Sequence, residues 1–156
     1  MKQGAGEVVG RVRSTIIPLD GMELLLPNAV VAEVIDYHKP EEVPNSPNWY
    51  LGRYSWRGKL LPVVSFERIV GKTLNRVWER GRIVVLYGLG DKRRLLPYYG
   101  LVAQDLPRLS HVGASNIEAD KGGISHKLIA ANVVVDGGRA SIPDVDAVVD
   151  VVSRIV

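Results

Sequence analysis

The chain has 156 residues, 20 Lys and Arg against 17 Asp and Glu, a formal charge of +3, and no cysteine. Disulfides, thiolate catalysis, iron–sulfur clusters and cysteine zinc sites are thereby excluded. A chain of this length buries roughly 70% of the surface that its unfolded form exposes, so it needs neither metal nor cross-link to fold.

Residues 1–13 read as a loose tail, rich in Gly and charge and without the apolar stretch of a secretory signal. No apolar run approaches the ~18 residues of a membrane span. A soluble, cytoplasmic protein is expected. "STIIPLDGMELLLP" then gives two apolar runs around Asp20-Gly21. This dipeptide signals a two-residue hairpin, whose type I′ form needs positive φ at both positions. "AVVAEVIDY" is a β-branched strand, and "HKPEEVPNSPN" is a loop whose three prolines supply no ladder donors.

"YLGRYSWRGKLLPVVSF" predicts a second hairpin, turning at Arg57-Gly58. Strand alternation would place Tyr50, Gly52, Tyr54 and Trp56 on one face and Leu51, Arg53, Ser55 and Arg57 on the other. Aromatics segregated from arginines suit a core wall better than a nucleic-acid platform, and a buried Trp still needs a partner for its N–H. Leu60 to Val64 is apolar on both faces and should form a central, covered strand, with Pro62 near its start or at a bulge.

"FERIVGKT" suits one helical turn ended by Gly71. "RIVVLYGLGDKRRLLPYYGLVAQDL" reads strand, turn near Gly90-Asp91, strand, and the Lys92-Arg93-Arg94 trio beside Asp91 is a solvated turn. "LPRLSHVGASNIEADKGGISHK" is expected to be irregular. "LIAANVVVDGGRASIPDVD" is a hairpin turning at Asp136-Gly137-Gly138. Val145, Val148, Val149, Val152 and Val156 fall at helical spacing behind Asp144, a good N-cap. Many short strands with Gly-punctuated turns and one terminal helix indicate a mainly β protein built as small barrels or a sandwich.

No catalytic constellation stands out. Gly71-Lys72-Thr73 has Phe66 where a phosphate loop requires its first glycine, and Gly88-Leu89-Gly90 has Arg93 where a dinucleotide fingerprint requires its third. His38, His111 and His126 lack metal-ligand spacing, and Ser110-His111 is a dipeptide rather than a triad. No cofactor or metal is expected, and no enzymatic activity.

The block "LLLPNAVVAEVIDYHKPEEVPNSPNWYLGRYSWRGKLLPVVSF" resembles the CheW-like family of chemotaxis coupling proteins. The landmarks are Leu26-Pro27, the strand holding Glu33, the "VPNSP" loop of residues 43–47, Gly52 ahead of Trp56-Arg57-Gly58, and Leu61-Pro62-Val63-Val64. A weaker likeness continues to about residue 152. The resemblance implies an all-β fold of two small five-stranded SH3-like barrels packed together, with a C-terminal helix. It implies one domain over 14–156, with subdomains near 14–79 and 80–145.

It also implies a non-enzymatic adaptor. Such an adaptor joins a CheA-type histidine kinase, through the kinase's own CheW-like regulatory domain, to the cytoplasmic tip of a chemoreceptor. Recruitment to membrane-associated receptor arrays goes with that role. Five positions carry over to the partner-binding surface: Glu33, Arg57, Val31, Gly52 and Gly58. Gly52 has a structural reading too, as a site of close backbone approach. Departures include Ser65 where the family often has an acidic residue. The divergent "LLPYYGLVAQDLPR" points toward accessory coupling proteins of the systems that control type IV pilus motility. The competing reading is a basic β-barrel that binds nucleic acid through the Arg53/Arg57 face, with strongly salt-dependent affinity.

Overall fold

Two curled sheets carry the fold of the computed structural model, which describes residues 11–155. In chain order the elements are β1 (Arg11–Leu19), β2 (Met22–Pro27), β3 (Val31–Asp36), β4 (Tyr50–Trp56), β5 (Lys59–Val64), α1 (Phe66–Ile69), β6 (Arg82–Tyr87), β7 (Tyr98–Ala103), β8 (Arg108–Gly113), β9 (Ile117–Ala119), β10 (Ile129–Val135), β11 (Gly138–Pro143) and α2 (Val145–Ser153). Short 3-10 turns cover Asn28–Val30 and Gly90–Arg94. The first sheet runs β8-β1-β2-β11-β10-β9, and the second β3-β6-β7-β5-β4.

The pairing corrects the expected division near residue 80. β1 and β2 pair with strands from the C-terminal part of the chain, while the second sheet runs unbroken through β3 to β7. The first sheet has six strands rather than five, because the short β9 joins its edge. Arg11, Val12 and Arg13 belong to β1 rather than to a tail; residues 1–10 and Val156 lie outside the described residues.

Three apolar clusters explain why so many strands are apolar on both faces. Ile16, Leu25, Val112, Val133, Val135 and Ala140 fill the first sheet's concavity. Trp56, Leu61, Val63, Ile83, Val85 and Val102 fill that of the second. A third, larger core lies between the sheets and takes the alternate residues of the same strands: Ile17, Leu24 and Leu26, then Val64, Val84, Leu86 and Leu101. "LLL", "PVV" and "IVVL" are thus walls shared by two interiors. Each fully buried Leu, Ile or Val contributes roughly 1.5–3 kcal/mol relative to exposure.

α2 covers this middle core with Val148, Val149 and Val152. As expected, Asp144 caps it, its carboxylate accepting from the Ala147 N–H at 3.1 Å. Ser65 caps α1 by accepting from the Arg68 N–H at 3.2 Å, and Gly71 follows the turn. Beside that cap the Glu67 carboxyl is fully buried. It accepts the Asp20 backbone N–H at 2.8 Å and the Ser65 hydroxyl at 3.2 Å, joining α1 to the β1–β2 turn.

The three predicted hairpins form, with local differences. Arg57-Gly58 and Asp136-Gly137 have positive φ at both positions, whereas at Asp20-Gly21 only Gly21 does, so that turn is not type I′. β8 and β9 replace the irregular structure expected there. β8 hides its pattern by burying Ser110, which donates to Asp136 at 3.0 Å, and exposing Leu109. β5 is central as predicted, but Leu60 points outward and is 64% exposed. Pro62 precedes Val63 and Val64, the residues that pair with β7, so its missing N–H breaks no ladder on that side.

Candidate partner-binding site

Curling brings the two edges of the second sheet together at one end. β3 and β4 are its outermost strands and share no backbone ladder. Side chains span the gap instead. Trp56, at the end of β4, donates its indole N–H to Glu33 Oε1 on β3 at 3.0 Å. Arg57 Nη2 lies 3.0 Å from the same oxygen. The arginine also stacks on the Trp56 ring, 5.1 Å from its centroid.

Each position follows from local structure. Trp56 and Lys59 flank a two-residue turn, so they face each other across the hairpin. The positive φ of Arg57 (49°) and Gly58 (74°) gives that turn the twist of its strands. It also places the guanidinium at an exposed tip. The Trp56 ring meets the edge of Tyr98 at 4.9 Å, and Tyr98 touches Tyr87. Lys59 Nζ lies 5.8 Å from the Tyr98 ring centroid. Trp56 is only 8% exposed, while the side chains of Arg57 and Glu33 are 69% and 34% exposed. The result is a charged pair seated on a buried aromatic base.

Of the five predicted positions, the structure brings together Glu33, Arg57 and Gly58. Val31 is separated by a β-bulge between it and Glu33, which turns Val31 toward the middle core. Gly52 is buried beneath the Pro-rich loop. A Cβ there would lie 2.2 Å from the Glu41 carbonyl oxygen, so the position requires close backbone packing. A second bulge, between Tyr50 and Gly52, corrects the expected aromatic face. Tyr50 joins the middle core, while Tyr54 and Trp56 pack inside the second sheet. Sequence reasoning missed Lys59 and the Tyr98–Tyr87 base. The hairpin register alone could have found Lys59; nothing local pointed to the tyrosines.

The arginines of the proposed nucleic-acid face both meet carboxylates: Arg53 with Glu41 at 3.8 Å and Arg57 with Glu33. His38 stacks on Tyr54, and His126 Nδ1 accepts from the Leu128 N–H. Among the described residues no group of three or more His, Asp and Glu is placed to hold a metal ion, and no helix is long and apolar enough to cross a membrane.

Two packed, curled sheets, a helix sealing the core between them and a charged hairpin tip define a small β module of two joined barrels. The chain belongs to the CheW-like domain family, whose pattern matches residues 14–153. Its fold is similar to that of the scaffolding protein TtCheW from Thermoanaerobacter tengcongensis, with a TM-score of 0.71 at 18% identity over 85% of this chain and 88% of that one. No curated protein sequence matches significantly.

Proposed function

We propose that the chain is a chemotaxis-type coupling adaptor. One partner is a CheA-type histidine kinase, engaged through the kinase's CheW-like regulatory domain; the other is the cytoplasmic tip of a chemoreceptor. The adaptor works in the cytoplasm beside receptor arrays, with pilus-based motility as the output served by an accessory member. The observation that carries this reading is the Arg57–Glu33 pair, exposed at a hairpin tip and seated on buried Trp56.

Such a pair has the properties an interface needs. Its own Coulomb energy is small in water, about 0.2–1 kcal/mol. Either charge can therefore be re-partnered cheaply. The turn and the aromatic base hold both groups in place, which lowers the ordering cost of binding. Charges so placed set register and reject wrong partners.

Co-purification of tagged protein from its native host tests the proposal, at moderate salt and after nuclease treatment, with mass spectrometry. Recovery of a histidine kinase bearing a CheW-like domain, and its loss in Arg57→Glu, is the expected result. Arg57→Glu should leave the melting temperature nearly unchanged. A large drop in stability would make Arg57 structural. Nucleic acid retained before nuclease, with no kinase recovered, would favour the basic-barrel reading.

A further inference from the structure

A second surface lies at the other end of β4. There the loop between β3 and β4 faces the segment that follows α1, and between them runs an open groove of about 640 Å³. β4 rises about 3.3 Å per residue, so Tyr50 at the groove and Trp56 are separated by roughly 20 Å along the strand.

The groove is held open by its walls. On one side are Pro40, Pro44 and Pro47, with the Ser46 hydroxyl donating to the Val43 carbonyl at 2.7 Å. On the other, the Asn75 N–H donates to Asp20 at 3.1 Å. Gln104 secures the rest of that wall, donating to the Arg76 carbonyl at 2.8 Å and accepting from the Trp78 N–H at 3.2 Å. Arg68 bridges the walls, donating to the carbonyls of Asn48 at 2.9 Å and Leu74 at 3.4 Å. A preformed groove of this kind saves an occupant most of the ordering cost.

Its charge is one-sided. Lys39, Arg68 and Arg76 line it against a single carboxylate, Glu42, which lies 3.8 Å from Lys39. Among the described residues no carboxylate pairs with Arg68 or Arg76. The Arg76 guanidinium carbon lies over the Trp78 ring, 3.9 Å from its centroid, and that tryptophan is 52% exposed. Trp and Arg are enriched among the few residues that carry most of the binding energy at protein interfaces. The side-chain amides of Asn45, Asn48 and Asn75 add hydrogen-bonding capacity suited to a peptide backbone. Trp78 is not part of the groove lining, so an occupant using both is longer than a small ligand.

We infer that this groove docks an extended, acidic peptide segment of a protein partner, with Arg76 and Arg68 receiving its carboxylates and Trp78 its apolar side chain. The test is nitrogen-15 NMR of the full chain at physiological salt. The probe is a synthetic peptide of about twelve residues, roughly 40 Å when extended, built from Glu, Leu and Ser. A second peptide with every Glu replaced by Gln is the control.

The three tryptophan indoles act as separate reporters, Trp78 for the groove and Trp56 for the hairpin tip. The acidic peptide should move the Trp78 indole and the amides of residues 43–48 and 74–77 saturably, leaving the Trp56 indole in place. The neutral peptide should bind at least about tenfold more weakly, and Arg76→Glu should have the same effect on the acidic one. Absence of groove shifts up to about 1 mM peptide would overturn the inference. So would equal binding of both peptides, or shifts confined to Trp56.

Discussion

Gly52→Ala separates a packing role from a binding role at that position. Gly52 has φ of +135°, and an added Cβ would sit 2.2 Å from the Glu41 carbonyl oxygen and 2.6 Å from its carbon, both backbone atoms. The loop must then move or the strand must change course. Moving the loop breaks two backbone bonds, Glu41 N–H to Arg53 O at 2.8 Å and Arg53 N–H to Glu41 O at 2.9 Å. Each contributes about 0.5–1.5 kcal/mol. Holding an alanine at this φ costs a further 1–3 kcal/mol, so the total loss is about 2–6 kcal/mol. At roughly 2–4 °C per kcal/mol, the melting temperature should fall by about 10 °C. Urea unfolding followed by tryptophan fluorescence measures it. Gly58→Ala is the control: its φ is +74°, but an added Cβ meets nothing within 4 Å, so only about 1 kcal/mol of turn strain is expected. A Gly52→Ala loss below about 1 kcal/mol, with an unchanged denaturant slope, would refute the close-packing account and return Gly52 to the binding surface.

Trp56→Ala removes the base of the hairpin tip and should cost about 3–5 kcal/mol, read by the same urea titration; a stable variant would show that Trp56 is not core. Asp144→Ala should cost about 1 kcal/mol, seen as a small drop in melting temperature, because α2 loses the cap on its Ala147 N–H. Burial raises the Glu67 carboxyl above its ordinary value near 4.5, opposed by the Asp20 N–H and the Ser65 hydroxyl and reinforced by the Asp20 carboxylate. The folded state therefore holds this proton more tightly than the unfolded chain. Stability falls as pH rises from the unfolded value through the raised one, and the loss is complete above it. Glu67→Gln removes that slope, so its stability relative to the parent should grow with pH across this window and then level off. A pH-independent difference would show that Glu67 does not titrate differently in the fold.

Local chemistry made the hairpins legible. Two-residue turns at Asp20-Gly21, Arg57-Gly58 and Asp136-Gly137 stand where their dipeptides put them, and Asp144 caps the helix that its valines announce. Features set by distant partners were not legible. The bulges at Ala32 and Leu51 each turn one residue across a sheet, carrying Val31 and Tyr50 away from the faces that strict alternation assigns them. β8 exposes Leu109 and buries Ser110 because its pairing with β1 and the bond to Asp136 decide its orientation. Asp20-Gly21 departs from the expected turn type in a similar setting. Asp20 is occupied from outside the hairpin, its N–H by Glu67 and its carboxylate by the Asn75 N–H.

The Glu33 carboxylate combines a structural bond with an exchangeable one on a single oxygen. Its bond from the Trp56 indole is part-buried and charge-assisted, worth about 1.5–3 kcal/mol, and it ties β3 to β4 where no backbone ladder does. Its pairing with the mostly exposed Arg57 is worth only about 0.2–1 kcal/mol. A partner carboxylate can therefore draw Arg57 away without opening the seam, since the indole bond remains. The energies differ because one donor is held in the core and the other stands in water. That difference lets one acidic residue close a barrel and still leave its arginine available at the surface.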